Sequence, residues 1–428
     1  MPTQSSGSAA TSKASVLRER AAAIVLATIF FVLYYQIGLL LNRPTVDTTD
    51  NYLDADNYTW MRRIAWEDGY KLEMRAPHPY AYFIFRPIGW TARQILGDPF
   101  VAALGLNSMA GGLCVFLAWE VVHRETRNGF YGLLVAATLG LSTSHLWFGS
   151  VIETYIFSSA SLLLFLVLLG ARGGSWLPLV GNSLITFGIT ATNFAQHLAA
   201  LLAARGRLWE VVRYAAVVGA LAVLVSLVHA EIYPSSSLSL APEGASAERE
   251  FTVALFEEPA WRALGRAGLM LRTMMLYTVI APRPYVFTDE VGGTFPRFNF
   301  FRIAPGEYAY SSYEGPAQGL VILWAGTCLL AFVFYLRTVQ RTGSPGIQGG
   351  LLLCLAFNFV LHLFYGYEPF LYSPDWAYAL ILFVALSFSA FAARRSMQAG
   401  LMGFVLLLAW NQWQFLALVV AAVRPYLQ

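Results

Sequence analysis

Two carboxylates, Asp54 and Asp56, stand in the segment LDADNYTW with Tyr58 and Trp60 close behind. Acidic side chains serve as general bases, worth about 10²–10⁴-fold in rate when aimed at a reacting proton. On an extended segment both would point to one side; on a helix they would not. Asp47 and Asp50 precede the pair. A solvated acidic loop is the alternative to a site. The aromatics Tyr52, Tyr58, Trp60, Trp66 and Tyr70 speak against it, because a purely solvated loop has no use for them. Glu67, Asp68 and Glu73 are assigned to solvated loop.

Further groups could join the pair. In Ala-Pro-His-Pro-Tyr, two prolines stiffen the chain around His78 and favour an extended conformation there. His78 then stands as a phosphate or sugar contact at the start of an amphipathic helix, or in a plain turn before it. HLWFGSVIETYIF places Glu153 and Tyr155 at the outward end of an apolar segment. There a carboxylate is either interfacial or faces a cavity. TATNFAQHL carries Asn193, Gln196 and His197, which could serve the same side or simply join helices. Arg283, Arg297 and Arg302 stand among aromatics further on, and with Lys71 and Arg75 they suit a lipid-linked phosphate at a membrane surface. Tyr367, Glu368 and Asp375 could add to the same cavity.

The elements that must position these residues are apolar. The chain has 428 residues, 57% hydrophobic and only 12% charged, against about 25% charged in a soluble domain. Runs of about 20 apolar residues recur, the length of a transmembrane helix. Composition therefore gives an all-α polytopic membrane protein in contact with a lipid bilayer. The net charge of +3 gives no reason to expect a nucleic-acid partner. Cys114, Cys328 and Cys354 lie in apolar runs without metal-ligand spacing and read as small buried hydrophobes.

Residues 1–15 are small and polar and are expected to form a disordered tail. A module over 16–232 follows, including an outward loop over 42–99 with an interfacial helix after Pro79. A second outward loop covers 233–318, and a C-terminal module 319–428. Residues 176–204 are interrupted at TATNFAQH and are expected to form two broken helices. The stretch Leu269 to Pro282 is expected to lie along the membrane surface or dip into it. Arginines at 18/20, 124/127, 172, 205/207/213, 337/341 and 394/395 fall on one side if the broken segment counts as two crossings. The positive-inside rule then gives about eleven spans, with the N-terminus cytoplasmic and the C-terminus and both large loops outside. No internal repeat of the inverted-transporter kind is evident.

An acidic, aromatic first outward loop with a proline-bounded His, followed by a multi-span core and a second large outward loop, resembles the GT-C glycosyltransferases. The likeness is to the protein O-mannosyltransferase and aminoarabinose transferase branches. Asp54-Ala55-Asp56-Asn57-Tyr58 is similar to their acidic motif, with one residue separating the two acids. His78-Pro79-Tyr80, and Trp147 with Glu153-Thr154-Tyr155, are similar to two further elements. The resemblance implies inverting transfer of a sugar from a polyprenyl-phosphate donor to an acceptor protein, lipid or glycan, outside a plasma (bacterial inner) membrane. Asp54 or Asp56 would be the base. Tyr58, His78, Glu153, Tyr155, Asn193, Gln196, His197, Arg297 and Arg302 would contact substrate. No cofactor is expected: paired acids can take a hard divalent cation, but the sequence offers no full ligand set. The competing readings are a transporter or flippase of a lipid-linked or small solute, and a non-catalytic relative of these enzymes.

Overall fold

The computed structural model describes residues 6–170, 175–237, 242–288, 295–344 and 346–426. Three-quarters of the chain is helical. Among the described residues, six helices are long and apolar enough to cross a bilayer: Val16–Leu41, Pro99–Thr126, Leu208–Ile232, Pro316–Thr342, Gly346–Phe364 and Arg395–Tyr426. Four shorter apolar helices lie between them: Gly129–Leu141, Tyr155–Leu169, Trp176–Ile189 and Pro374–Ser387. A 15-residue helix rises about 22 Å, short of a hydrocarbon core of about 30 Å.

Of the about eleven expected crossings, six are helices long enough to span alone among the described residues. Ser142 divides the apolar run 130–148, its hydroxyl capping the amide of His145 and starting a separate short helix, Thr143–Phe148. The break expected at TATNFAQH is present. Trp176–Ile189 ends at Thr190, a single tight turn covers Ala191–Asn193, and a new helix runs Phe194–Arg205. The expected N-terminal tail is helical from Ser6 onward, and residues 1–5 lie outside the described residues.

Long and short helices differ in what surrounds them. Every residue of Pro374–Ser387 is buried in protein, as expected for a helix apolar on all sides inside a large core. Val16–Leu41, by contrast, exposes Ile24, Val25 and Ile29, and Leu208–Ile232 exposes Leu224 and Leu227. Such unpartnered aliphatic faces on long helices suit lipid. All three cysteines are buried and unpaired.

The first large loop holds a short helix, Asn57–Ala65, and an amphipathic one, Ala81–Leu96. The second large loop adds a few short strands to an otherwise helical fold. It carries two antiparallel hairpins, Tyr285–Phe287 with Arg297–Asn299 and Phe301–Ala304 with Glu307–Tyr310. It also corrects the placement of Leu269 to Pro282. That stretch ends the helix Ala260–Arg272, passes through a widened turn at Thr273–Tyr277, and sinks into the core rather than lying on the surface. Leu269, Met270, Tyr277, Val279 and Ile280 are fully buried. Neighbouring side chains satisfy its carbonyls: Trp324 donates to Met275 O at 2.7 Å, and Gln412 to Val279 O at 2.9 Å.

Candidate functional site

The first loop folds back on itself after the helix that ends at Leu41. Tyr52 is fully buried and donates its hydroxyl to Leu41 O at 2.9 Å. The second loop clamps it: Leu53 N donates to Phe298 O at 3.1 Å, Phe298 N to Asn51 O at 2.8 Å, and the rings of Tyr52 and Phe298 stack. Held this way, Asp50, Leu53 and Asp54 take left-handed conformations, with φ of 62°, 57° and 65°. Such conformations cost side-chain-bearing residues of order 1–3 kcal/mol each and gather where function over-determines the backbone.

The loop is thus not extended. Asp54 sits in the tight turn, and Asp56 caps the helix Asn57–Ala65 without a side-chain cap bond. Both nonetheless line one cavity of about 450 Å³, together with Asp50, His78, Glu153 and Tyr155. Arg63 and Arg75 complete the charged part of its wall, and Tyr372 adds a ring packed edge-on against Tyr155.

Glu153 is 1% exposed. Its Oε2 accepts from the amide of Asp56 at 2.9 Å, and its Oε1 accepts from the amide of Thr154 at 2.7 Å. Its own amide donates to Asn107 at 3.2 Å, so the turn carrying it is bonded to the helix Pro99–Thr126. Burial, with Asp56 adding to it, pushes the Glu153 carboxyl up to about 8. Burial and then Asp50 raise Asp54 to about 6, while Arg297, 3.5 Å from its Oδ1, works the other way. Burial also raises Asp56, with Arg63 opposing it. Acids of unequal proton affinity around one hollow are the pattern expected of acid–base chemistry.

His78 lies in consecutive turns rather than an extended strand, its amide donating to Arg75 O at 3.0 Å. Its Nδ1 bonds the carbonyl of Ile189. A carbonyl only accepts, so Nδ1 carries the hydrogen and Nε2 is left as an acceptor. Burial pushes the ring down to about 3, which keeps it neutral. Arg63 is 8% exposed, lies over the Trp60 ring, and bonds the carbonyl of Glu73. Among the described residues its Nε has no partner.

Other expected site residues lie apart. Asn193, Gln196 and His197 do not line the cavity; they tie helices together. Asn193 donates to Ser158 Oγ at 2.6 Å, Gln196 to Asn193 Oδ1 at 2.8 Å, and Tyr378 to Gln196 Oε1 at 2.8 Å. His197 bonds Ser183 at 2.7 Å and stacks on Phe165. Tyr58 packs against the Trp60 cluster outside the cavity wall. Arg302 lies over the Tyr285 ring on its hairpin. Arg297 is outside the cavity wall and pairs with Asp54 from its strand, 3.5 Å from Oδ1.

Sequence reasoning missed Glu248 and Tyr372, which reach the cavity from distant segments, and it gave Arg63 no role. Glu73, assigned to solvated loop, is exposed but contributes to the rim. Among the described residues, no group of three or more His, Cys, Asp or Glu side chains has the spacing of a metal site. In comparison with known proteins, no family model matches the chain and no curated protein matches it.

Proposed function

We propose that the chain is a membrane glycosyltransferase of the GT-C type. It moves a sugar from a polyprenyl-phosphate donor to an acceptor protein, lipid or glycan at the outer surface of a plasma (bacterial inner) membrane. The observation that carries this reading is the convergence of Asp54, Asp56, Glu153, His78, Arg63 and Arg75 on one cavity. In this reading the short helices complete the about eleven crossings with help from their long neighbours, which keeps the N-terminus cytoplasmic and the cavity outside.

Asp54 is the favoured base. A carboxyl poised near 6 is ionised at neutral pH yet basic enough to hold a proton in transit. It takes the proton of the acceptor hydroxyl or amine. The freed electron pair attacks the anomeric carbon from the face opposite the phosphate. The carbon–oxygen bond to phosphate breaks, and its electron pair leaves on polyprenyl phosphate, inverting the anomeric centre. Asp56 holds the acceptor or the sugar hydroxyls, and Glu153 fixes the backbone of Asp56. Arg63 and Arg75 stabilise charge on the leaving phosphate.

The test is sugar transfer from a polyprenyl-phosphate donor by the purified, reconstituted protein and by Asp54→Asn and Asp56→Asn separately. Loss in one or both supports the reading. Full transfer in both variants would remove the base, and solute uptake into vesicles with no transfer would favour a transporter.

A further inference from the structure

Arg75 does not face the cavity with free hands. Its Nε donates to Glu248 Oε1 at 3.2 Å and its Nη2 to Glu248 Oε2 at 2.7 Å, a two-pronged pairing of guanidinium and carboxylate. Tyr365 donates its hydroxyl to the same Oε2 at 2.6 Å. Phe251 lies flat against the guanidinium, 3.7 Å from ring centre to Cζ. Glu248 ends the helix Pro242–Glu248, and Gly244, Ala247, Glu248 and Phe251 all line the cavity. Three donors from two distant segments thus converge on one carboxylate inside a hollow that already holds several acids. Arg63, nine-tenths buried, lies in the same wall with its Nε unpartnered among the described residues.

A carboxylate held by a forked guanidinium and a hydroxyl occupies the place that a phosphate would occupy by the same geometry. We infer that Glu248 is a resident stand-in for a substrate phosphate: it fills an oxyanion subsite made by Arg75, Tyr365 and Arg63, and the phosphate must displace it to bind. The inference rests on the reading of the cavity as a site for a phosphate-bearing donor. Displacement frees the helix Pro242–Glu248 from its ion pair, so that occupancy of the subsite and movement of this wall are one event. Until then the carboxylate keeps Arg75 neutralised and the subsite closed to weak anions.

The experiment measures binding rather than transfer, so it stands or falls independently of catalysis. Full-length wild type, Glu248→Gln, Arg75→Gln and the double variant are titrated with a polyprenyl phosphate in micelles and, separately, with inorganic phosphate. Glu248→Gln keeps the shape and loses the charge; it should bind polyprenyl phosphate about tenfold tighter or more, since charged hydrogen bonds are roughly twice as strong as neutral ones. Arg75→Gln should bind more weakly than wild type, and the double variant should show no gain over Arg75→Gln. A gain for both probes identifies phosphate itself as the ligand, and a gain for the lipid alone identifies the lipid-linked headgroup. In wild type, hydrogen exchange across 242–251 should rise when polyprenyl phosphate is added, a readout that needs no variant. Unchanged or weaker binding by Glu248→Gln, a gain that survives in the double variant, or exchange that falls on ligand addition would each overturn the inference.

Discussion

Two polar clusters were legible in this apolar chain, and they turn out to be opposites. The corner around Asn193, Gln196 and His197 is closed: each side chain has a bonded partner and the helices it joins are in contact. The wall around Asp54, Asp56 and Arg63 is open. Its backbone is held in left-handed turns, its acids resist ionisation, and a guanidinium nitrogen lies buried without a partner among the described residues. A polar group buried for stability is satisfied by protein. One buried for chemistry is left for a substrate to satisfy.

The contrast predicts different failures on mutation. The largest effect is expected in the open cluster, where Asp54→Asn should lower sugar transfer by about 10²–10⁴-fold, with a melting temperature equal to or above that of wild type. Turnover per folded molecule, with a thermal melt of the same sample, checks both halves. The closed cluster should behave in reverse. Gln196→Ala strands Asn193 Oδ1 and the Tyr378 hydroxyl and should cost about 1–3 kcal/mol of stability, while transfer per folded molecule stays within about twofold.

Next in size is a shift in pH dependence. If Asp54 is the base, transfer should rise with pH through about 6. Arg297 lowers that carboxyl, so Arg297→Gln should move the rise to higher pH; a rate profile on the two proteins reads it. A shift to lower pH would contradict the assignment.

The smallest effect is expected at Glu153. Its folded-state proton affinity is raised from 4.5 to about 8. The folded protein therefore binds that proton more tightly than the unfolded chain, and stability falls as pH climbs from about 4.5 to 8. Glu153→Gln imitates the protonated form. It should flatten the loss of melting temperature between about pH 4.5 and 8. A variant whose melting temperature falls with pH as steeply as that of wild type would show that Glu153 is not the titrating group.

The local parts of this arrangement could be read from the sequence. The acids of LDADN and the broken helix at TATN announce themselves because their polar residues interrupt apolar runs. The stretch from Leu269 to Pro282 misled, because its apolar composition does not distinguish a membrane surface from a protein core; the side chains of Trp324 and Gln412 that receive it come from later helices. That Pro374–Ser387 is wholly enclosed by protein is equally invisible in its apolar composition, and an enclosed helix need not match the bilayer. Glu248 was out of reach for a plainer reason: it meets Arg75 across 173 positions, and no local pattern marks that pairing.

The account's central claim is that chemistry belongs to the open cluster and architecture to the closed one. The most direct test is the rate of sugar transfer from a polyprenyl-phosphate donor per folded molecule, measured side by side for Asp54→Asn, Asp56→Asn and Gln196→Ala. The account predicts that at least one aspartate variant falls by about 10²-fold or more while the glutamine variant keeps nearly the wild-type rate. Equal rates in all three, or a loss confined to Gln196→Ala, would contradict it.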